Sequence, residues 1–307
     1  MRNALVLLNA RAGSLRQMQA VHEARDLLRR RVPRAEIVIA SGPDEVAVAL
    51  ERARTSPAEY VFAGGGDGTL RSVAEAIAGT GKVLGVLPLG TINHFARHLG
   101  LPARLDAAVA ALEGASPSAL GVGEVNGRLF LNNSTVGLYP RVVRARDYLR
   151  WRAKLGKWPA MARAAAHVFD GPAGPPLTLA GDGGACTLRS PFVFITNHDF
   201  LLGALPLLEG RVGPDELGVC AAPAETAGER LALAARVATG TLAAGPSVQA
   251  FRTRSLAVTG GPPRLHVTLD GEAMTLEAPL LYRVRPGALR VLAPRGAPAR
   301  AVALSTP

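Results

Sequence analysis

The sequence predicts two domains: an α/β domain with a parallel sheet, followed by a mainly antiparallel β domain. Three observations support this division. The chain has 307 residues, more than one domain usually contains. In the first third, short runs that are apolar throughout alternate with helical patterns, as in parallel sheets that are covered on both faces. From about Gly121 onwards, alternating segments are separated instead by Asn-Gly and Asp-Gly pairs, which are typical of hairpins.

Four apolar runs in the first third are strand candidates, and each is followed by a helical pattern. Because parallel strands of such a unit end at one edge of the sheet, the loops that follow them meet there. The predicted strands are 4–10, 35–41, 60–64 and 83–90, and the predicted helices are 14–32, 43–55, 69–79, 91–99 and 105–114.

The second part of the chain alternates between strands and turns. Asn126-Gly127 and, near the end, Asp270-Gly271 are strong two-residue hairpin signals. Helical patterns at 141–169 and 225–244 interrupt the strands. We therefore place the first domain at 1–120 and the second at 121–285.

The composition restricts the class of protein. Two cysteines provide neither a disulfide framework nor a zinc pattern, so we expect a reducing cytoplasm. The first apolar run is too short for a signal-peptide core, and none approaches the roughly 20 residues of a membrane span, so we expect a soluble protein. The formal net charge of +11 favours polyanionic partners, although a GC-rich genome that favours arginine would give the same excess.

The segment GGGDGT at 64–69 joins the third predicted strand to a helix. Glycine backbone can adopt positive φ and approach an anion closely, and Thr69 adds a hydroxyl at the helix start. Asp67 is unexpected there, because a carboxylate repels phosphate unless Mg²⁺ lies between them. We interpret the segment as a phosphate cradle with an acid that faces a metal; an ordinary tight turn is the alternative.

Two further turns are predicted at the same edge of the sheet. LPLGTINHFARHLGLP, at 87–102, again ends a strand with Gly-Thr and opens a helix. NARAG, at 9–13, follows the first strand. Together with the glycine-rich segment, these turns could enclose one nucleotide from several sides.

These three turns resemble those of the diacylglycerol kinase catalytic family, which includes bacterial lipid kinases and their sphingosine-kinase relatives. GGGDGTL, LPLGTINHFARHLGLP, VGEVNGRLFLNNSTVGL and LDGEAM carry the resemblance along most of the chain. It implies a fold like that of NAD kinases and diacylglycerol kinases: an α/β nucleotide-binding domain, a C-terminal β-sandwich, and ATP with Mg²⁺ in the cleft between them. It also implies that 286–307 return to the first domain.

Carried over by position, the resemblance assigns catalytic and binding residues. Glu272 would be the general base on the lipid hydroxyl, with Asp270 beside it, and Asp67 would serve the Mg²⁺–phosphate end. The family's metal-binding acidic loop is shortened here, and Asp215 is carried over as a candidate metal ligand. The ATP site would be lined by Asn9, Ala10, Arg11, Ala12, Gly13, Ser41, Gly65, Gly66, Gly68, Thr69, Leu70, Arg71, Ser72 and Thr91.

The sequence departs from the family pattern at four positions. Arg71 and Ser72 stand where the family usually has Asn-Glu, and His94 and Gly218 stand where aspartates are usual. The expected function is an ATP-dependent kinase of diacylglycerol or a related long-chain lipid alcohol. An NAD kinase remains an alternative because it shares the GGDGT segment, and so does a decayed kinase that binds without turnover.

The segment 141–163 combines six arginines and two lysines with one aspartate, and contains Tyr148, Trp151 and Trp158. Such a segment suits an anionic membrane surface. A helical hairpin with core tryptophans and a solvated basic face is the alternative. Single-stranded nucleic acid is less favoured because no nucleic-acid fold signature accompanies the segment. We expect a cytoplasmic protein that contacts the inner membrane peripherally; a homodimer is left open.

Overall fold

The structure is a computed structural model. It describes residues 3–10, 15–153, 156–170, 174–198, 212–239, 248–294 and 302–303. The chain forms two units: unit 1 comprises Met1–Val122 and Pro286–Pro307, and unit 2 comprises Gly123–Arg285.

Unit 1 alternates strands and helices in the predicted order. Its parallel strands confirm the α/β class, and the helix bounds differ from the predicted ones by three residues at most. The elements are β1 (Ala4–Asn9), α1 (Leu15–Arg31), β2 (Glu36–Ala40), α2 (Pro43–Thr55), β3 (Tyr60–Gly65), α3 (Asp67–Ile77), β4 (Val83–Pro88), α4 (His94–His98), α5 (Leu105–Glu113) and the first part of β5 (Ser116–Val125).

The parallel sheet of unit 1 has the order β2-β1-β3-β4. Its register aligns Asn9 with Ala40, and Gly65 with Pro88, so the four strands end near one edge. Buried aliphatic residues from β1 and β4 and from α3 form the core, among them Leu5, Leu84 and Leu70. The predicted meeting of the loops at one edge is therefore confirmed.

Unit 2 consists mainly of antiparallel strands, as predicted, and three helices interrupt them in the described part. The strands are β6 (Arg128–Phe130), β7 (Asn133–Gly137), β8 (Leu177–Gly181), β9 (Gly184–Leu188), β10 (Phe192–Thr196), β11 (Leu217–Ala221), β12 (Gln249–Thr253), β13 (Ser255–Thr259), β14 (Arg264–Leu269), β15 (Glu272–Glu277) and β16 (Leu280–Ala293). The helices are α6 (Tyr139–Ala153), α7 (Lys157–Asp170) and α8 (Ala227–Thr239).

Two antiparallel sheets face one core in unit 2. One has the order β12-β11-β10-β7-β14-β15, and the other contains β16-β13-β8-β9. A single cluster of buried residues draws on both sheets, including Ile195 and Val267 from the first and Leu179 and Leu256 from the second. Shared burial between two antiparallel sheets is the arrangement of a β-sandwich, as predicted.

The last strands of the chain contribute to both units. The first part of β16 pairs with β13 in unit 2, and its second part pairs in parallel with β4, where Arg290 lies opposite Val83. The two-residue strand β17 (Val302–Ala303) pairs with the part of β5 that belongs to unit 1.

The predicted helical insert at 141–169 is the pair α6–α7. These helices pack on each other through Leu138, Val142, Ala164 and Val168, and α6 also contacts β7, β14 and β15. The second predicted insert is α8, and 240–247 lie outside the described residues. Within the described ranges, every helix is too short or too polar to cross a bilayer.

Candidate active site

The glycine-rich segment lies at the carboxyl edge of the unit 1 sheet, where β3 becomes α3. Gly66 is the N-cap residue, with φ −83° and ψ 175°, and the helix begins at Asp67. The amides of Gly68 and Thr69 therefore belong to the first turn, which has no intrahelical acceptors for its N–H groups. Such a helix start attracts anions through these amides and through the helix dipole.

Close packing, rather than left-handed backbone, requires glycine in this turn. Gly64, Gly65 and Gly66 all lie outside the positive-φ region, so the turn does not use the freedom of glycine to adopt positive φ. A Cβ on Gly65 would lie 2.7 Å from Thr69 Oγ1. On Gly66, by contrast, the nearest described atom would be the Cα of Gly90, 3.9 Å away, so this side of the turn has room for a ligand.

The second turn, after β4, is closed by the side chain of Asn93. Asn93 Oδ1 accepts a hydrogen bond from the amide of Gly90 at 2.8 Å, and Asn93 Nδ2 donates to the Gly90 carbonyl at 3.0 Å. Its backbone is left-handed, with φ 56° and ψ 47°. Asn93 is not among the predicted site residues, although asparagine is the residue that most often joins glycine in this conformation and could have signalled the turn.

Asp67 connects the first turn to the second. Its carboxylate accepts hydrogen bonds from the backbone amides of His94, at 3.2 Å, and Phe95, at 3.0 Å. These amides begin α4, and a carboxylate is favourable at a helix start. Asp67, which the sequence predicted to face a metal, therefore also holds the first and second turns together.

The third turn also reaches the cradle. Asn9, at the end of β1, donates from Nδ2 to Thr69 Oγ1 at 2.8 Å, and the amide of Ala10 donates to the carbonyl of Ala40. Arg11, Ala12 and Gly13 lie outside the described residues. The structure therefore brings together Asn9 and Thr69, from turns 60 residues apart in sequence.

Ser41, just before α2, and Thr91, in the second turn, are predicted ATP-site residues that are exposed. The amide of Ser41 donates to Glu45 Oε2 at 2.6 Å, which satisfies a backbone group before α2. Thr91 is exposed in the second turn. Their contact with a nucleotide remains a prediction.

Three further predicted ATP-site residues make contacts within α3 and the core. Leu70 is fully buried, and Ser72 Oγ donates to the carbonyl of Gly68 at 3.0 Å. Arg71 is only 4% exposed, and its guanidinium lies 3.2 Å from Glu75. The departure from the family pattern at Arg71 is therefore accommodated by an ion pair within the helix, and nucleotide contact by these residues remains a prediction.

In unit 2, Asp270 and Gly271 form the predicted hairpin turn between β14 and β15. Their φ values are 49° and 83°, and Leu269 lies opposite Glu272. Two positive φ values are characteristic of a type I′ turn. This geometry places the exposed Glu272 at the first position of β15.

The Asp270 carboxylate binds the loop that precedes β7. It accepts hydrogen bonds from the amides of Leu131 at 2.8 Å, Asn132 at 2.7 Å and Asn133 at 3.1 Å, and the amide of Asp270 donates to the Asn133 carbonyl. These contacts make Asp270 an anchor of the loop. Asp270 was predicted only to lie beside the base, and its three amide partners could not be read from the sequence.

A buried polar cluster extends from this loop to the end of β10. Thr196 Oγ1 donates to the Asn132 carbonyl at 2.8 Å, and it also contacts the carbonyl of His198. Asn132, Asn197 and His198 are all less than a tenth exposed. Asn132 belongs to the VGEVNGRLFLNNSTVGL segment, but Asn197 and His198 belong to no motif, so only their assembly by the sheet reveals the cluster.

Asp215 lies exposed in a turn before β11. That turn is closed by Glu216, which accepts from the amide of Gly213 at 2.8 Å. The described ranges contain no group of three His, Cys, Asp or Glu side chains arranged to hold a metal. Among the described residues, Asp215 therefore belongs to no such group, and the adjacent 199–211 lie outside them.

Comparisons with known proteins agree with this fold. The family model described as "Diacylglycerol kinase catalytic domain" matches residues 3–125. A Pseudomonas syringae pv. syringae protein named "Probable lipid kinase YegS-like" is 32% identical over 266 residues, which cover 78% of this chain and 77% of that protein. The chain belongs to the diacylglycerol kinase catalytic family.

Other relatives match over different lengths. A Pseudomonas aeruginosa protein, also named "Probable lipid kinase YegS-like", is 48% identical over 95 residues, and the match spans 30% of this chain and 31% of that protein. A crystal structure of a diacylglycerol kinase from Bacillus anthracis strain Sterne has a TM-score of 0.67 at 16% identity, covering 97% of this chain and 98% of that one. Because the two sequences are only 16% identical, this structural similarity shows a shared fold alone.

The approach of the two glycine turns can be tested by replacing Gly90. A Cβ there would lie 2.6 Å from the Cα of Gly66, which is backbone and cannot rotate away. We expect Gly90→Ala to lower the free energy of unfolding by about 1–3 kcal/mol, as overpacking does. Gly114→Ala is the control, since no atom of the described residues lies within 4 Å of its added Cβ. Urea denaturation measures both, and equal midpoints for Gly90→Ala and the wild type would contradict the inferred contact.

The anchoring contacts of Asp270 generate a second prediction. Asparagine tolerates left-handed backbone but has only one acceptor oxygen, so Asp270→Asn should lower the free energy of unfolding by about 1–3 kcal/mol. Asp215→Asn, in an exposed turn, should change it by less than about 0.5 kcal/mol. Thermal unfolding of both variants checks this; a loss in the control as large as that in Asp270→Asn would argue against the anchor.

Proposed function

We propose that this protein is an ATP-dependent lipid kinase that phosphorylates the hydroxyl of diacylglycerol or of a related long-chain lipid alcohol. Membership of the diacylglycerol kinase catalytic family and the naming of its relatives as probable lipid kinases support the reaction class. The observation that carries the proposal is the start of α3, where no described atom comes closer than 3.9 Å to the Cβ position of Gly66 and two other turns approach the same edge.

The start of α3 suits the phosphates of ATP. The first-turn amides of Gly68 and Thr69 can donate to phosphate oxygens, and the open side of Gly66 lets a phosphate approach the backbone. Asn9 holds the Thr69 hydroxyl in place. A side chain at Gly66 would occupy the space in which we place the phosphates.

The donor set fits Mg²⁺ that is held mainly by phosphate. Protein Mg²⁺ sites commonly use one or two carboxylates together with phosphates and water. Asp67 is the carboxylate of this turn and would hold the ion, while the described residues contain no group of three acidic or imidazole side chains for it. When bound, the ion would neutralise the charge that develops on the transferring phosphoryl group.

Glu272 is the proposed general base. Phosphoryl transfer needs a group that orients the attacking hydroxyl and accepts its proton. Both acids of the Asp-Gly-Glu segment could do so, but the Asp270 carboxylate is bound by three amides, whereas Glu272 is exposed at the start of β15. The type I′ turn fixes the backbone that carries Glu272.

The reaction is tested by phosphoryl transfer from labelled ATP and Mg²⁺ to a panel of diacylglycerols, other long-chain alcohols and NAD. We expect label in at least one lipid and none in NAD. Label in NAD alone would identify the protein as an NAD kinase. Absence of transfer to every acceptor, with ATP binding retained, would identify a decayed kinase and contradict the proposal.

The role of Glu272 generates a prediction with a control on the same strand. Glu272→Gln keeps the size of the side chain but removes its basicity, so kcat should fall by about 10²- to 10⁴-fold. Glu277→Gln removes another exposed carboxylate from β15 and should leave kcat unchanged.

ATP affinity, measured separately by titration calorimetry, should stay near the wild-type value in both variants. A decrease of less than about threefold in kcat for Glu272→Gln, against the 10²-fold that a base contributes, would show that the base lies elsewhere.

A further inference from the structure

The two sides of helix α6 differ in composition and in exposure. Val142 and Val143 are at most 1% exposed and face the packed interior of unit 2. Residues 141, 144, 148 and 152 are spaced by three, four and four positions, so they share another side of the helix. All four are exposed: they are Arg141, Arg144, Tyr148 and Arg152. We call this side the basic stripe.

Within the described part of the chain, no carboxylate pairs with the three arginines of the basic stripe. The single acid of α6, Asp147, lies 2.8 Å from Arg146, which is mostly buried and belongs to another side of the helix. The stripe therefore presents a positive charge that acids of its own helix do not neutralise.

Arg144 contacts a histidine instead of an acid. Its Nη1 lies 3.0 Å from Nδ1 and 3.1 Å from Nε2 of His266 on β14, and His266 Nδ1 also contacts Thr275 Oγ1. Burial, followed by the charges of Arg144 and Arg141, lowers the pKa of His266. A neutral imidazole can accept from the guanidinium and so hold Arg144 in place without cancelling its charge.

We propose that the basic stripe binds the headgroups of an anionic lipid bilayer. Arginines near an anionic leaflet are attracted by its surface potential, and tyrosine is favoured at the boundary between headgroups and acyl chains. The choice of a bilayer rests on the proposed function, since a kinase of long-chain lipids meets its substrate there. Single-stranded nucleic acid is favoured by several stacked aromatic side chains, whereas Tyr148 is the aromatic residue of the stripe.

The basic stripe is part of the surface that the sequence predicted. The whole segment 141–163 was the candidate, but the spacing of Arg150 places it away from the stripe, on the opposite side of α6. Lys154 and the side chains of Trp151 and Trp158 lie outside the described residues. Arg150 therefore provides a control on the same helix.

The test is co-sedimentation of the full chain with vesicles of phosphatidylcholine, with or without phosphatidylglycerol. Each basic residue near an anionic surface contributes roughly a fivefold factor in partitioning. The triple variant Arg141→Gln, Arg144→Gln and Arg152→Gln should therefore bind phosphatidylglycerol vesicles on the order of a hundredfold more weakly. Raising the salt concentration should also weaken the binding of the wild type to these vesicles, because salt screens the attraction between charges.

Two controls separate the stripe from total charge. Arg29→Gln, Arg30→Gln and Arg34→Gln remove the same charge from exposed positions of unit 1, and Arg150→Gln removes one from the opposite side of α6. We expect the unit 1 triple variant to change vesicle partitioning much less than the stripe variant does. We expect Arg150→Gln to change it by less than twofold. Equal losses in the stripe variant and in the unit 1 control would overturn the proposal.

Further outcomes distinguish lipid binding by the basic stripe from nucleic-acid binding. Unchanged vesicle binding by the stripe variant overturns the proposal. So does loss of binding to a single-stranded oligonucleotide while vesicle binding persists, which assigns the stripe to nucleic acid. Turnover of a water-soluble, short-chain diacylglycerol should be equal in the stripe variant and the wild type. Because vesicle binding is measured without ATP, its failure and the failure of the kinase proposal are distinguishable.

Discussion

The close approach of two backbones at Gly66 and Gly90 is the constraint on which the unit 1 site depends. A single added carbon on Gly90 would come within 2.6 Å of the opposite Cα, so the two turns can be adjacent only without that side chain. Asp67 then binds the amides that begin α4, across the same junction. The position of the helix start that we assign to phosphate is therefore fixed by contacts that involve no ligand.

In unit 2, another aspartate carboxylate holds a neighbouring loop in the same way. Asp270, in a glycine-containing turn, binds three consecutive backbone amides of a neighbouring loop, as Asp67 binds two. In both places a carboxylate satisfies N–H groups that would otherwise need another acceptor. An aspartate in a motif can thus be required by the fold, and its presence alone does not establish a catalytic role. For this reason the exposed Glu272 is the better candidate for the base.

The spacing of apolar residues predicted most helices and strands, because that spacing reflects which side chains are buried. The apolar runs of β1 and β3 and the patterns of α2 and α5 lie within one or two residues of their predicted bounds. Asn126-Gly127 and Asp270-Gly271 predicted their turns because both positions adopt positive φ in the structure. The same reasoning does not explain Gly64 and Gly65, where glycine is needed for lateral contact and not for dihedral freedom.

The sequence by itself determined the order of strands and helices, the two hairpin turns and the family, since each follows from local patterns or from residues adjacent in the chain. Tertiary structure alone decided which atoms meet: Asp67 with amides 27 and 28 residues away, Asn9 with Thr69, and Asp270 with a loop about 138 residues earlier. It also decided which side of α6 is exposed, whereas the spacing of the arginines already placed them on one side. The physical reason is that hydrogen bonds and burial depend on distance in space, and the sheets bring distant segments together only once they have formed.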